Sequence, residues 1–168
     1  MMTFNNEMTL KMYLNQCLVK VVNIITKVIY EKLMDFIQID IYDTYPKPAL
    51  YERTGEFKDK AWAMQMATEM SNTIMSSINY FPYGLTYNPE KYQHGSKTQD
   101  RRKQLAEILN RGNWNWTDWD FGRPGKDTID SAYPKPFWDD TIEWILENWD
   151  KEVIKAFKQV GLNVKKGK

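Results

Sequence analysis

A chain of 168 residues is long enough for one domain with a sizeable core that needs neither disulfides nor metal ions. The contents of 42% hydrophobic and 14% aromatic residues indicate a folded globule and exclude a disordered chain. Because 23 basic residues accompany 22 acidic ones, the net charge of +1 provides no overall field that would attract nucleic acid. Cys17 is alone, which excludes an intrachain disulfide framework. We expect neither a secretion signal nor a membrane span, because Lys20 and Lys27 interrupt the most apolar stretch.

The first predicted element is a long amphipathic helix over residues 8–40. Apolar residues recur there at steps of three and four, the spacing of one helical face: Leu14, Leu18, Val22, Ile25, Ile29, Leu33 and Phe36. A face of this width is typical of a helix that lies across a sheet or between subunits. Packing against the core is favoured over binding of a partner. Cys17 lies on the same apolar side.

A connector over residues 41–57 is predicted to end this helix. Pro46 and Pro48 each remove a backbone donor and disfavour helix for the residue before them. Arg53 and Thr54 lead into Gly55, which predicts a turn because glycine readily takes a positive φ. The connector also holds the tyrosines Tyr42, Tyr45 and Tyr51. Since their rings can pack against the core, we predict an ordered connection rather than a flexible linker.

Residues 58–92 are predicted to contain the strands. Trp62, Met64 and Met66 alternate with small or polar residues, which is the period of a half-buried strand. Residues 71–79 follow as a second strand without room for a crossover helix, so the two are expected to form an antiparallel hairpin. Residues 99–111 are predicted to form a short helix that ends at Gly112.

The last third of the chain combines a loop, a helix and a basic tail. Residues 112–136 contain too much Gly, Asn, Asp and Pro for regular structure. Residues 137–160 are predicted to be helical, with an apolar face formed by Trp138, Ile142, Ile145, Trp149, Val153, Phe157 and Val160. Residues 161–168 form the end of a basic segment, and we expect its lysines to be solvated rather than bound to nucleic acid.

No arrangement typical of a catalytic or metal site occurs in the sequence. His94 has neither a Cys nor a second His at metal-ligand spacing. Motifs for phosphate binding and for nucleophilic catalysis are absent. A site built from two carboxylates stays open, with Asp118 and Asp120 as its candidates. We therefore expect no enzyme activity, no cofactor and no metal.

The tryptophans of the loop allow three interpretations. Trp114, Trp116 and Trp119 can cover the core, anchor a protein interface, or form a platform for sugars or bases. Core cover is the favoured interpretation, and protein contact is the second. The platform would make the chain a carbohydrate-binding module, which is the alternative to the function considered next.

Four segments occur in a characteristic order: IYDTYPKPALYERTG, YQHGS, DRRKQLAEILNRGN and KPFWDDTI. With them the chain resembles the small tail-completion or head-tail joining proteins of long-tailed bacteriophages, the gene-product-ten-like family. The similarity extends over residues 10–164 and lies in the arrangement of elements more than in sequence identity. The resemblance implies an α+β fold, with the long N-terminal helix packed on a small antiparallel sheet, a short middle helix and a C-terminal helix, all in a single domain.

The same resemblance implies a structural protein of the virion, located in the phage neck or tail top and made in the host bacterial cytoplasm. Its copies would form a homo-oligomeric ring, sixfold rather than twelvefold, that completes the tail and joins it to the head connector. The partners would be the connector or stopper and the tail-tube proteins, with passing contact to genomic DNA and no membrane. The candidate subunit or partner contacts are Tyr42, Tyr45, Tyr51, Arg53, Trp114, Trp116, Trp119, Phe137 and Trp138.

Overall fold

The computed structural model describes residues 6–43, 55–71, 73–86, 102–111 and 136–167. Its helices and strands in chain order are α1 (Glu7–Ile37), α2 (Glu56–Asp59), β1 (Trp62–Met70), β2 (Thr73–Tyr80), α3 (Leu105–Arg111) and α4 (Phe137–Gln159). A π-helical segment, Gln38–Asp43, extends α1, and 3-10 turns occupy Pro82–Gly84 and Arg102–Gln104. The two strands pair in an antiparallel sheet. The architecture is α+β, as predicted.

The start of α1 is determined by its own capping residue. The side-chain oxygen of Asn6 accepts a hydrogen bond of 2.8 Å from the backbone N–H of Thr9. Glu7 adds a negative charge in the first turn, where the helix dipole favours it. The described helical conformation continues to Asp43. The remainder of the predicted connector up to residue 54, including both prolines, lies outside the described residues.

The predicted turn at Gly55 is confirmed, and the strand predicted from the alternation of Trp62, Met64 and Met66 begins at Trp62. Gly55 has a φ of 77°, in the left-handed region. Its carbonyl oxygen accepts hydrogen bonds of 3.0 Å from the N–H groups of Lys58 and Asp59. This turn starts α2, so the residues before Trp62 are not extended. Local backbone bonding after the left-handed glycine therefore forms α2 between the turn and the strand.

The described chain divides into two compact units. Unit 1 takes its residues from Met1–Glu31, Met64–Ile78 and Trp144–Lys168. Unit 2 takes its residues from Lys32–Ala63 and Asn79–Glu143. The long helices and both strands each contribute residues to both units. The prediction that residues 1–168 form a single domain stays a prediction.

Polar side chains of α1 bind the hairpin in unit 1. The side-chain oxygen of Asn23 accepts a hydrogen bond of 2.6 Å from the backbone N–H of Ala67. The hydroxyl oxygens of Thr26 and Ser76 lie 2.5 Å apart, and Thr26 is buried. These polar residues are not part of the predicted apolar face. The helix therefore packs on the sheet as expected, but with hydrogen bonds from a different side.

The apolar side of α1 faces α4 in unit 1. The narrow gap between the two helices is lined by Ile25, Val28, Ile29, Trp144, Ile145, Asn148, Trp149 and Glu152. Both helices thus contribute large aliphatic or indole side chains to one contact. In unit 1, α1 thus has the sheet on its polar side and α4 on its apolar side, so this one helix contacts both of the other elements.

The predicted apolar face of α1 is only partly buried. Leu14 and Leu18 are 38% and 36% exposed, whereas Cys17 and Val21 are 4% and 3% exposed. The prediction that Leu14 and Leu18 belong to the core is therefore wrong. Periodicity identifies an apolar side of a helix, but the neighbouring elements cover only the part of that side that they reach.

The buried side of α4 is displaced from the predicted one. Ile142 and Trp149 are 40% and 48% exposed, whereas Phe137, Thr141 and Ala156 are fully buried. Thr141 and Ala156 are small, so neighbouring elements can approach that side of the helix closely. Ile142 and Trp149, by contrast, are only partly covered.

The helix formed by Glu7–Asp43 is also long and apolar enough to cross a membrane by length and composition, with a mean hydropathy of 1.2 in its most apolar window. A core helix of a soluble protein passes the same test, so one such helix is weak support for a span. Asn23 and Thr26, which lie in this helix, bind the hairpin through hydrogen bonds. The expected absence of a membrane partner stays a prediction.

Substitution of two glycines by alanine tests two different constraints on the backbone, a close approach at Gly84 and a positive φ at Gly161. A Cβ atom at Gly84 would lie 2.3 Å from the backbone oxygen of Lys60, so Gly84→Ala should lower the free energy of unfolding by about 2 kcal/mol or more. Gly161 has a φ of +82° but open space around it, so Gly161→Ala should cost about 1 kcal/mol. Urea unfolding followed by tryptophan fluorescence measures both. Equal losses would contradict the close approach at Gly84.

Candidate functional site

Five aromatic side chains from four elements form one cluster in unit 2. Two of them, Phe137 and Trp138, are among the contact residues that the sequence predicted. The members of this aromatic cluster are Phe57, Trp62, Tyr80, Phe137 and Trp138. The ring of Phe137 packs edge-on against those of Phe57 and Trp62, at centroid distances of 5.7 and 6.1 Å. All three of these rings are buried. The cluster therefore joins α2, the base of the hairpin and the start of α4.

Trp138 is the exposed member of the aromatic cluster. Its indole stacks on that of Trp62 at a centroid distance of 6.0 Å and an interplanar angle of 16°. Trp138 is 40% exposed, whereas Phe137 is 1% exposed. The indole of Trp138 is thus accessible, and the buried ring of Trp62 supports it from below. A large ring held by a rigid base is the kind of side chain that anchors protein interfaces.

Of the other predicted contact residues, the structure describes only Tyr42. Tyr42 is half-buried in the π-helical segment. Outside the described residues lie Tyr45, Tyr51, Arg53, Trp114, Trp116 and Trp119, together with the carboxylate candidates Asp118 and Asp120 and with His94. The structure places Phe137 and Trp138 in the aromatic cluster. The role of all these residues in contacts with another subunit or a partner stays a prediction.

Asn110 connects α3 to the first turn of α4. Its side-chain oxygen accepts a hydrogen bond of 2.9 Å from the backbone N–H of Trp138. Its amide nitrogen donates one of 3.1 Å to a carboxylate oxygen of Asp139. Asn110 is 7% exposed. A buried amide from another helix thus satisfies a donor that the first turn of α4 leaves without an intrahelical partner.

Asn110 was not predicted from the sequence. The available signal was Pro136, which precedes α4 and has no side-chain group that could cap the helix. A helix that starts behind such a residue needs an acceptor from elsewhere in the fold. Sequence alone does not identify the residue that provides this acceptor, because the hydrogen bond joins residues that are 28 positions apart.

Arg102 holds the start of the second 3-10 turn against the end of the hairpin. Its guanidinium donates a hydrogen bond of 2.9 Å to the backbone oxygen of Leu85 and lies 5.3 Å from the centre of the Tyr83 ring. The hydroxyl of Tyr80 donates to the backbone oxygen of Arg102 at 2.5 Å. These contacts connect the aromatic cluster, through Tyr80, to the segment that leads into α3.

Two carboxyl groups interact where the π-helical segment meets the start of α4. Burial raises the pKa of Asp40 to about 6, with further contributions from the charge of Asp140 and from a hydrogen bond between the two side chains. Burial, together with the charges of Glu143 and Asp139, also raises the pKa of Asp140. One oxygen of Asp40 is buried without a hydrogen-bond partner among the described residues. The pair therefore favours a shared proton over two charges.

Glu56 has the opposite electrostatic environment at the start of α2. Hydrogen bonds from Lys60 and Thr86 lower the pKa of Glu56 to about 2. The ammonium group of Lys60 lies 2.6 Å from the carboxylate, and the hydroxyl of Thr86 donates to it at 2.7 Å. This ionised carboxylate ties α2 to the chain that leaves the hairpin.

The described residues contain no group of three or more His, Cys, Asp or Glu side chains that could hold a metal ion. Asp40 and Asp140 are acidic groups that tend to share a proton, and they meet at the start of α4, close to Phe137 and Trp138. This part of unit 2 thus combines one exposed indole ring, that of Trp138, with a pair of proton-sensitive carboxyl groups.

A protein-family model described as YomN matches residues 6–162, and thus nearly the whole chain. The chain belongs to the YomN family. This family name derives from phage, so the chain is a phage-associated protein, in agreement with the phage origin that the sequence predicted. No curated protein and no solved structure matches the chain. The more specific resemblance to tail-completion proteins stays a prediction.

The buried amide at the start of α4 can be tested by Asn110→Ala in this YomN-family protein. The variant leaves the N–H of Trp138 without its acceptor, so we expect the free energy of unfolding to fall by about 1 to 3 kcal/mol. Glu107→Ala on the exposed side of α3 is the control and should cost less than about 0.5 kcal/mol. Urea unfolding measures both. Similar small losses would show that the amide does not cap α4.

The carboxyl pair predicts a stability that depends on pH. Because the folded-state pKa of Asp40 is raised to about 6 from 3.8, its contribution to stability is present below the lower value and is lost as the pH rises through the higher one. Asp40→Asn should therefore raise the free energy of unfolding near pH 8 by about 1 kcal/mol, a value reduced for solvent screening.

The difference between Asp40→Asn and the parent protein should vanish below the ordinary pKa of 3.8. When Asp140 is already replaced by Asn, the further substitution Asp40→Asn should raise the free energy of unfolding near neutral pH by less, because one of the two like charges has already been removed. Thermal unfolding across a pH series measures these differences. A gain that is constant over the whole series would show that the carboxyl pair is not its cause.

Proposed function

We propose that this chain is a structural protein of the phage virion, in which copies form a ring at the neck or the top of the tail. The ring completes the tail and joins it to the head connector. The observation that carries the proposal is the amount of large apolar surface that the described residues leave exposed. Met8 is 73% exposed, Met12 58% and Leu146 77%. Monomeric soluble proteins rarely expose contiguous apolar patches beyond a limited size, whereas subunit contacts cover them.

Membership of a phage-associated family supports this proposal from an independent direction. The α+β fold, with its long N-terminal helix on an antiparallel hairpin, is the fold that the resemblance to tail-completion proteins implies. The partners proposed on this basis are the head connector or stopper on one side and the tail tube on the other. No catalytic step and no cofactor form part of the proposal.

Trp138 is the side chain of unit 2 best suited to a contact with these partners. It is accessible, and its indole rests on the buried ring of Trp62. Tryptophans at rigid positions are enriched among the residues that dominate interface energies. The net charge of +1 is compatible with a channel that passes DNA, because a strongly basic wall would retain the moving genome.

The proposal predicts the phenotype of a phage whose gene for this chain carries an early stop codon. We expect filled heads and separate tails to accumulate, because the joint between them is missing, and we expect the wild-type gene supplied in trans to restore joined particles. Electron microscopy of lysates counts both products, and mass spectrometry of purified virions detects the protein. Normal infectious particles without the protein would refute the proposal.

A matched pair of variants tests the proposed role of Trp138 in the same complementation assay. Trp138→Ala should restore fewer joined particles than the wild-type gene, whereas Phe81→Ala should restore them fully. Both side chains belong to unit 2 and are similarly exposed, at 40% and 49%, but Phe81 lies outside the aromatic cluster. Equal complementation by the two variants would remove Trp138 from the proposed interface.

A further inference from the structure

Unit 1 exposes an apolar ridge on α4 that consists of Leu146 and Trp149. The two residues are 77% and 48% exposed. Because they are three positions apart on a helix, their side chains project from the same side. Glu147 and Asp150 lie beside these residues in the sequence, and the carboxylate of Asp150 is paired with the ammonium group of Lys166. The surface is thus an apolar ridge with acidic neighbours, and Leu146 is its most exposed member.

Unit 1 also has an open groove between α1 and β1, with a volume of about 490 Å³. This α1/β1 groove is lined by Met12, Asn15, Gln16, Val19, Lys20 and Glu69. Met8 lies one helical turn before Met12, on the same side of α1, and both methionines are exposed. Methionine side chains are flexible and polarisable, so they adapt their shape to an inserted apolar group.

The charges of the groove complement those of the ridge. The segment Met8–Lys20 of α1 contains Lys11 and Lys20 and no acidic residue. Glu69 is the acid in the groove, and its carboxylate accepts a hydrogen bond of 2.8 Å from the amide of Asn15. Lys20 in the groove is therefore positioned to attract the acidic neighbours of an incoming ridge. Charges at the edge of an interface steer association and set its register more than they add affinity.

A second copy of the same chain is the occupant that these observations favour. Each copy has one ridge, with the acidic Glu147 next to Leu146, and one different surface, the groove, with the basic Lys20 in its lining. Contacts between two different surfaces of identical subunits are heterologous, and they generate rings when the rotation closes. We propose that the ridge of one copy, Leu146 and Trp149, inserts into the α1/β1 groove of the next copy beside Met12. This inference rests on the proposed ring and specifies the surfaces that form it.

The test combines two variants that each block one of the two surfaces. Met12→Asp places a charge in the groove, and Leu146→Asp places one on the ridge. In sedimentation velocity experiments each variant alone should be monomeric at concentrations where the wild-type protein forms larger species. A mixture of the two should form one-to-one dimers and nothing larger, because it still contains one intact ridge and one intact groove.

The pattern in the mixture distinguishes a heterologous contact from a symmetric one. If two copies paired ridge to ridge or groove to groove, one of the two variants would still associate by itself. A mixture that stays monomeric, or a wild-type protein that is monomeric at every concentration, overturns the proposal. The double variant Met12→Asp/Leu146→Asp lacks both surfaces, so it should stay monomeric both alone and in a mixture with either single variant.

The variants need a control for folding and for unspecific effects of an added charge. Phe81→Asp changes a 49% exposed apolar residue of unit 2 and should leave the oligomer intact. Unfolding midpoints in urea identify a variant that fails to fold. Lys20→Glu and Glu147→Lys should each weaken association by about threefold or more at low salt, and their combination should restore part of the loss. Absence of any such restoration would contradict the charge pairing.

The experiment must also distinguish the proposed contact between copies from binding of the exposed methionines to a membrane. Flotation with vesicles of neutral and anionic phospholipid tests it directly. If the wild-type protein floats with vesicles, Met12→Asp does not, and the oligomer is unchanged in that variant, the exposed methionines serve a lipid surface and the proposed contact is wrong. We expect no flotation.

The outcomes also separate this contact from the proposed function. If purified copies associate through ridge and groove but phage without the protein assembles normally, the function fails and the contact stands. If phage without the protein accumulates unjoined heads and tails, while Met12→Asp and Leu146→Asp both still form rings, the contact fails and the function stands.

Discussion

The burial of Phe137 among aromatic rings is the interaction on which unit 2 depends. Its ring contacts those of Phe57 and Trp62, which follow one another closely in the chain, whereas Phe137 lies far downstream. Bringing these segments together costs loop-closure entropy, and the burial of three large rings provides the free energy that offsets it. The position of Trp138 at the surface, the cap from Asn110 and the approach of Asp140 to Asp40 all follow from where this ring places the first turn of α4.

Unit 1 depends on the contacts that α1 makes on two of its sides. Its polar residues Asn23 and Thr26 bind the hairpin, and its apolar residues face α4. A helix that is occupied on two sides retains free surface elsewhere, and the first turns of α1 retain most of it. Met8 and Met12 are exposed there, as is Leu146 on α4. Unit 1 therefore combines hydrogen bonds between α1 and the hairpin with large apolar side chains that are exposed on α1 and α4, and these side chains are the basis of the proposed contact between subunits.

Several features of the fold were predictable because they depend on neighbouring residues. The long helices follow from apolar spacing, the hairpin from alternation and the turn from the positive φ that Gly55 accepts. The buried side of α4 was not predictable in the same way. Trp149 is apolar and periodic, yet it is half exposed, while Thr141 is polar and buried. Burial is determined by which element lies opposite, and a hydrophobic pattern contains no information on that choice.

The sequence by itself determined the α+β class, the order of the elements and the absence of a disulfide framework, because these follow from periodicity, backbone preferences and composition. Tertiary structure alone decided that Asn110 caps a helix from another helix and that Asp40 meets Asp140. It also decided that Leu146 is exposed while Phe137 is buried. The physical reason is that each of these properties belongs to a pair of surfaces, and residues distant in the chain become a pair only when the chain has packed.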